Sequence, residues 1–182
     1  YLWKEKGMTF PKLLEKLAKY VPKMGPKKIF LSNSGTEAVE GALKLARYLT
    51  RRPIIIAFKG AFHGRTMGAI TLNASKANQK AFFGPLLPGV YHIPFYAEKS
   101  PAHYDPAITL EKELFVSHMD PKEVAAIIIE PILGEGGYLM PHPTLLKTLR
   151  RICDEHGILL IFDEIQCGVG RTGSMYASEL FD

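Results

Sequence analysis

The sequence predicts an α/β protein with a mostly parallel central sheet flanked by helices. Two apolar runs, EVAAIIIE at 123–130 and GILLIFDE at 157–164, are continuous rather than alternating, as in strands that are buried on both faces. Strand patterns also alternate with helical patterns along the chain, which favours parallel strands joined by helices. The chain has 182 residues, 47% of them apolar, which is enough for one domain with a sizeable core.

The hydrophobic pattern places the elements in order along the chain. It predicts a helix at 9–20, a strand at 28–31, a helix at 37–49, strands at 54–58 and 90–93, a helix at 105–118, a strand at 124–129, a helix at 143–156 and a strand at 158–162. Thr9 and Pro11 suit the start of the first helix. Gly157 suits a left-handed cap after the last helix.

Charge, spacing and hydropathy argue against several classes of partner. The net charge is +5, but the N-terminal lysines follow a helical pattern without interleaved aromatic residues, so a solvated helix face is favoured over a nucleic-acid surface. No apolar run approaches the ~18 residues of a membrane-spanning helix. Cys153, Cys167 and the six histidines show no metal-ligand spacing. We therefore expect a cytoplasmic protein with reduced thiols and no metal, membrane or nucleic-acid site.

Polar clusters follow the predicted strands at the points where the strands end. They are SNSGTE at 32–37, KGAFHGRT at 59–66, the segment 130–137 and DEIQ at 163–166. The carboxyl ends of parallel strands lie at one edge of the sheet, and ligands bind at that edge in open α/β folds. We therefore expect the four clusters to meet there.

The cluster at 32–37 has two interpretations. Ser34, Gly35 and Thr36 form a small-residue turn before a helix, which can offer backbone N–H groups and hydroxyls to a phosphate. Together with Glu37, the same residues also fit an ordinary helix cap. The spacing is not that of a P-loop, since no GK[ST] is present.

The other strand ends suit a flat, cationic ring. Phe62 can stack on such a ring, and Asp163, at the end of a buried apolar run, needs a cationic partner such as a protonated ring nitrogen. Core packing of Phe62 and a structural hydrogen-bonding role for Glu130 are open alternatives. GVGRTG at 168–173 fits G-x-G-x-x-G, but the segment 163–167 separates it from the strand, so we expect a loop rather than a dinucleotide site.

Four motifs resemble segments of one enzyme family, the class III (ω-amino acid type) pyridoxal-phosphate aminotransferases, which include 4-aminobutyrate, ornithine and acetylornithine aminotransferases. They are, in order, NSGTEAVEGALKLAR, GAFHGRT, IIIEPILGEGG and ICDEHGILLIFDEIQCGVGRTG. The resemblance implies part of the large domain of a fold-type I transferase and a homodimer. It also implies pyridoxal 5′-phosphate as cofactor and transfer of an amino group from an amino acid, such as 4-aminobutyrate, to a 2-oxo acid.

The resemblance also implies roles for individual residues. It implies that Ser34, Gly35 and Thr36 form the phosphate-binding turn and that Phe62 stacks on the pyridine ring, with His63 beside it. It implies that Asp163 pairs with the pyridinium nitrogen and that Gln166 lies near the phenolic oxygen. Glu130 and Glu135, of the EPxxGE segment, are implied to gate the substrate. In this family the second of these two glutamates often gates a substrate-binding arginine.

One part of the family's machinery has no match. The family's Schiff-base lysine follows the aspartate, but no lysine follows Asp163 here. We expect residues 1–182 to be part of the large cofactor-binding domain, with the catalytic lysine beyond Asp182 and the small C-terminal domain absent. The polypeptide alone is then inactive in transamination. A pyridoxal-phosphate-dependent racemase of the same fold and a non-catalytic binding module are the alternatives.

Overall fold

Four parallel strands form the centre of the computed structural model, which describes residues 9–21 and 25–181. In spatial order the strands are β2 (Val90–Ile93), β1 (Ile54–Phe58), β3 (Val124–Ile129) and β4 (Leu159–Phe162). The inner strands β1 and β3 are buried along their whole length, as the continuous apolar run of β3 predicts. The run that forms β4 was also expected to be buried on both faces but is only partly buried, because among the described residues β4 is an edge strand of the sheet. The parallel α/β class is therefore confirmed.

The strand register brings the strand ends together at one edge. Phe58 at the end of β1 pairs with Ile93 at the end of β2, and Ile129 at the end of β3 pairs with Phe162 at the end of β4. The segments that leave the strands therefore emerge side by side. This places the polar clusters after β1, β3 and β4 within reach of one another.

Helices cover both faces of the sheet. Helix α2 (Gly35–Thr50) packs on one face, where its buried stripe contacts a cluster that includes Ile55 and Ile128. Helix α5 (Leu145–His156) packs on the other face, over a cluster that includes Ile56 and Ile127. Adjacent residues of one strand thus supply opposite cores, because side chains alternate across a strand.

The remaining elements are short, apart from the N-terminal helix. They are α1 (Phe10–Tyr20), α3 (Met67–Leu72), a π-helical segment (Ala107–Leu114) that leads into α4 (Phe115–Ser117), and 3₁₀ helices at Ala77–Gln79, Ala102–Tyr104, Pro121–Glu123 and Ala177–Phe181. Helix α3 has only six residues and was not predicted, because so short a segment shows no helical periodicity in its apolar residues. Gly157 adopts the predicted left-handed cap with φ 64°.

The predicted strand at 28–31 is wrong. These residues form no strand, and Phe30 is 79% exposed. A strand needs a neighbour for its backbone hydrogen bonds, and none of the strands in the described part of the chain pairs with this segment. Of the lysines in the predicted N-terminal surface, Lys4, Lys6 and Lys23 lie outside the described residues. Within the described residues, no helix combines the length and the hydropathy that crossing a membrane requires.

Candidate functional site

The polar clusters meet in one cleft at the carboxyl edge of the sheet, as predicted. The cleft has a volume of about 530 Å³. Its lining comes from Gly35 and Thr36, the loop 62–65, Glu130 and Glu135, and three residues after β4, Asp163, Ile165 and Gln166. Of the nine site residues predicted from the sequence, eight line this cleft, and Ser34 is the exception.

A buried pair forms the base of the cleft. Nδ1 of His63 lies 2.7 Å from Oδ2 of Asp163, whose side chain is only 4% exposed. The other carboxylate oxygen, Oδ1, accepts a hydrogen bond from the Ile165 N–H at 3.1 Å. Each oxygen keeps a lone pair for a further donor. The arrangement can therefore receive one cationic N–H from the cleft without breaking an existing contact.

Nε2 of His63 is buried and has no hydrogen-bond partner among the described residues. Buried polar atoms without partners are uncommon in proteins. An unpaired buried nitrogen on a residue that lines a cleft is typical of a binding site rather than of a packed core.

The loop that carries Phe62 is held by side chains of other elements. The Phe62 N–H donates to Oε1 of Glu130 at 2.8 Å, and the His63 N–H donates to Oδ1 of Asn73 at 2.6 Å. The N–H groups of Arg65 and Thr66 both donate to Oγ1 of Thr36, each at 3.2 Å. The Asn73 amide also donates to the Gly64 carbonyl at 2.8 Å. The half-buried Phe62 ring therefore stands on a fixed backbone at the side of the cleft.

Gly64 is required at its position in this loop. Its φ of +134° is one that residues with a Cβ rarely adopt, and an added Cβ would also overlap the Thr36 hydroxyl. The close approach of the loop to the start of α2 depends on this missing side chain.

Glu130 connects two loops. Its Oε1 accepts from the Phe62 N–H and its Oε2 accepts from the Gly134 N–H at 3.0 Å. Burial raises the pKa of this carboxyl, and the two N–H groups act in the opposite direction. The structural hydrogen-bonding role left open by the sequence is therefore present, and a gating role for Glu130 stays a prediction.

The start of α2 has the geometry of a helix cap and still leaves donors for an anion. Oγ of Ser34 accepts from the Glu37 N–H at 3.3 Å, and Oε2 of Glu37 accepts from the Asn33 N–H at 2.7 Å. The first backbone bond of the helix runs from Ala38 to Ser34. The N–H groups of Gly35 and Thr36 precede it, so they have no partner within the helix. Both residues line the cleft.

The rim of the cleft is more exposed than its base. Nζ of Lys76 lies 2.8 Å from Oε2 of Glu135, and both side chains are about half exposed. The hydrogen bond from Lys76 and its positive charge lower the pKa of Glu135, with a smaller contribution from Arg65. Gln166 lies against Gly134, where a Cβ would overlap its amide.

The remaining sequence candidates lie away from the cleft. GVGRTG forms turns with positive φ at Gly170 and Gly173, as expected for a loop, and none of its residues lines the cleft. Both cysteines are buried, and burial raises the pKa of Cys153 to about 12 and that of Cys167 to about 11. Such thiols stay protonated and unreactive.

Sequence reasoning missed several residues that build the cleft. Asn73, fully buried, holds the loop, and Arg65 and Ile165 line the cleft. Thr66 and Glu40 contact Thr36 or its partners. Arg65 and Thr66 stand inside the motif GAFHGRT, which is the signal that could have identified them. Glu40 likewise stands inside the motif NSGTEAVEGALKLAR, whereas Asn73 lies outside all four motifs and carries no such signal.

Comparison with known proteins gives a consistent family. A family model for aminotransferase class-III matches residues 7–182. The chain is similar to 2-aminoadipate transaminase of Pseudomonas putida, with 45% identity over 165 residues that cover 91% of this chain and 40% of the relative. It is also similar to 4-aminobutyrate aminotransferase GabT of Escherichia coli, with 42% identity over 168 residues (92% and 39%).

Two further similarities concern the fold and the alternative reaction. An alanine/serine racemase of Pyrococcus horikoshii is 38% identical over 183 residues, which cover 94% of this chain and 38% of the relative. A solved structure of taurine:2-oxoglutarate aminotransferase from Bifidobacterium kashiwanohense, in complex with PLP and glutamate, superposes with a TM-score of 0.82 at 31% identity (94% and 40%). The chain thus spans about 40% of the length of the relatives that it matches.

Proposed function

Because this chain belongs to the class III aminotransferase family, we propose that the protein that carries it is a pyridoxal-phosphate-dependent aminotransferase. It moves an amino group from an amino acid, with an ω-amino donor such as 4-aminobutyrate favoured, to a 2-oxo acid. Relatives named for 4-aminobutyrate and 5-aminovalerate support a donor of this class, whereas the relative named for 2-aminoadipate points to an α-amino donor. Acetylornithine is a further candidate donor.

One observation carries the proposal. The buried Asp163–His63 pair, the Phe62 ring and the start of α2 face one cleft of about 530 Å³. A pyridine ring, its ring nitrogen and its phosphate need these three environments: an aromatic face, a carboxylate and free backbone N–H groups. The residues present therefore fit the cofactor.

Each residue has a proposed part in holding the cofactor. Phe62 would stack on the ring, Asp163 would accept a hydrogen bond from the ring nitrogen, and Gly35 and Thr36 would donate backbone N–H groups to the phosphate. Gln166 would face the phenolic oxygen. When bound, pyridoxal phosphate supplies an electron sink for the carbanion that forms on the substrate.

The protein's own contribution is to orient and to stabilise charge. The Asp163 carboxylate favours a positive charge on the ring nitrogen, since an opposite charge at hydrogen-bond distance stabilises the charged form. His63 fixes the rotation of that carboxylate from behind. Glu130 and Asn73 hold the backbone under Phe62. Glu135, whose pKa is lowered, presents a negative charge at the mouth, which suits a gate for a cationic group.

The covalent attachment point is proposed to lie in another part of the protein. No lysine side chain lines the cleft within residues 9–21 and 25–181. We assign residues 1–182 to the large cofactor-binding domain and place the catalytic lysine and the small domain beyond Asp182. The chain's coverage of about 40% of its relatives supports this assignment.

We further propose a cytoplasmic homodimer. Several large apolar side chains on α2 and the segment before it are exposed, namely Phe30, Leu31, Leu45, Tyr48 and Leu49. Exposed apolar patches of this kind are typical of protein–protein interfaces. Two buried, unpaired cysteines suit a reducing compartment.

The experiment that tests the function uses the complete gene product. It is loaded with pyridoxal phosphate and reduced with borohydride, and the modified residue is located by mass spectrometry. A single modified lysine after Asp182 is expected. Scattered surface labelling alone would contradict the proposal.

A substrate assay separates the two reactions known among the relatives. Incubation with 4-aminobutyrate and 2-oxoglutarate is expected to give glutamate. The similarity to an alanine/serine racemase supports racemisation as the second candidate. Formation of D-alanine from L-alanine without any keto product would favour it.

A further inference from the structure

The Thr36 hydroxyl faces the loop that carries Phe62. Its Oγ1 accepts hydrogen bonds from the backbone N–H groups of Arg65 and Thr66, each at 3.2 Å. The same atom lies 2.7 Å from Oγ1 of Thr66. A hydroxyl group has one proton to donate and two lone pairs to accept with. Both lone pairs of Thr36 are therefore in use.

The direction of the remaining hydrogen bond follows from Glu40. Oγ1 of Thr66 lies 2.6 Å from Oε1 of Glu40. A carboxylate only accepts, so the single hydroxyl proton of Thr66 points to Glu40. Thr36 must then donate its own proton to Thr66. With two bonds accepted and one donated, the Thr36 hydroxyl has no proton left for a ligand in the cleft.

Glu40 connects the two hydroxyl groups to the start of α3. Its Oε1 also accepts from the backbone N–H groups of Gly68 and Ala69, at 2.7 and 3.0 Å, at the start of α3. Glu40 stands four residues after Thr36, one turn further along the same face of α2. One carboxylate thus joins the start of α2, the Phe62 loop and the start of α3.

We propose that Thr66 and Glu40 are positioning residues of the cofactor site, which draw the Thr36 hydroxyl proton away from the phosphate and leave that anion to backbone N–H groups. The proposal rests on the proposed function, because it presumes a phosphate at the start of α2. It assigns Thr36 two separate parts: its N–H binds the anion, and its hydroxyl locks the Phe62 loop to the phosphate turn.

The test measures cofactor affinity rather than turnover. The complete protein is freed of cofactor and titrated with pyridoxal phosphate, and binding is followed by absorbance. The Thr66→Val variant keeps the shape of the side chain and removes the hydroxyl that connects Thr36 to Glu40. It is expected to bind pyridoxal phosphate about tenfold more weakly, since hydrogen bonds linked to a charged group are the stronger ones. Thr66→Ser restores the hydroxyl and is expected to recover the affinity. Thr50→Val, at the far end of α2, is the matched control.

A double-mutant cycle tests whether the two hydroxyls act as one unit. Because the two hydroxyls act through one series of hydrogen bonds, their losses should not add. The double variant, Thr36→Val with Thr66→Val, is expected to bind pyridoxal phosphate about as tightly as whichever single variant binds it less tightly. Additive losses would overturn the proposal. A second pattern would also overturn it. In that pattern Thr66→Val binds pyridoxal phosphate as tightly as the parent, while Thr36→Val loses affinity for pyridoxal phosphate but not for pyridoxal. Such a loss would show that the Thr36 hydroxyl donates directly to the phosphate.

Two controls keep the outcome readable. Thermal unfolding of the cofactor-free variants shows whether each one folds. If Thr66→Val does not fold, Glu40→Met takes its place, because methionine removes the acceptor of the Thr66 hydroxyl, and unchanged affinity again counts against the proposal. If the unmodified protein fails to bind pyridoxal phosphate, the proposed function falls. If it binds and Thr66→Val binds equally well, only the positioning role falls.

Discussion

Glu130 and Glu135 belong to one short segment, yet they occupy opposite environments at the base and the rim of the cleft. Glu130 is only 4% exposed, and both of its oxygens accept backbone N–H groups. Glu135 is exposed, and its partner is the flexible side chain of Lys76. Burial raises the pKa of the first, and a neighbouring cation lowers the pKa of the second.

This difference separates groups that fix the site from groups that can move. At the base, removing an acceptor leaves buried N–H groups without partners, which is costly. At the rim, water replaces a lost partner, and exposed ion pairs contribute little to stability. The base therefore suits a permanently bound group, and the rim suits substrates that enter and leave.

The largest effect is expected for Asp163→Asn at the base. The change keeps the shape of the side chain but removes its charge, so the ring nitrogen loses its anionic partner. Loss of one such electrostatic partner lowers turnover by about 10²–10³-fold. The measurement is the transamination rate of the complete protein at saturating cofactor. Asp154→Asn, in the exposed pair with Arg150, is the control and is expected to retain activity. A loss below tenfold would remove Asp163 from its proposed role.

Glu130→Ala is expected to lower the free energy of unfolding by about 2–6 kcal/mol. The part-buried N–H of Phe62 and the buried N–H of Gly134 lose their acceptor, at about 1–3 kcal/mol each. Urea unfolding of the complete protein without cofactor measures the change. Glu113→Ala, on an exposed helical surface, is the control. If the two variants unfold at the same urea concentration, the base is not more constrained than the surface.

Gly64→Ala tests the backbone of the same base. The φ of +134° is strained for alanine, and the added Cβ overlaps the Thr36 hydroxyl. A loss of about 1–3 kcal/mol in the free energy of unfolding is expected. Gly84→Ala places a Cβ in open space and serves as the control. Equal stability of both variants would show that the loop relaxes easily.

The smallest effect on stability is expected for Lys76→Met at the rim. Without the ammonium group, the pKa of Glu135 should rise towards its ordinary value, which a carboxyl NMR titration measures. A carboxyl with a lowered folded-state pKa stabilises the protein above its unfolded-state pKa, and this contribution is lost as the pH falls through the folded-state pKa. Unfolding midpoints of variant and parent should therefore coincide in acid and differ only slightly at neutral pH. A large difference at neutral pH would place Glu135 with Glu130 as a fixed structural group.

Most of the secondary structure could be predicted because its signals are local. The strands β1, β2 and β3 have the predicted bounds, and the left-handed cap at Gly157 was readable from one residue. The segment 28–31 has the same apolar character but forms no strand, since pairing depends on a neighbour and not on composition. The helix predicted at 105–118 is largely π-helical, a distinction that the apolar pattern does not carry.

The sequence by itself determined the parallel α/β class, the edge of the sheet that carries the site, and the residues Phe62, Asp163, Gly35 and Thr36 that line it. These follow from apolar runs and from the polar residues that end them. Only the tertiary structure decided how those residues are held. The acceptors for the Phe62 loop come from Thr36, Asn73 and Glu130, which stand up to 68 residues away from their donors. Hydrogen bonds over such distances depend on how strands and helices pack, and no local pattern in the chain records them.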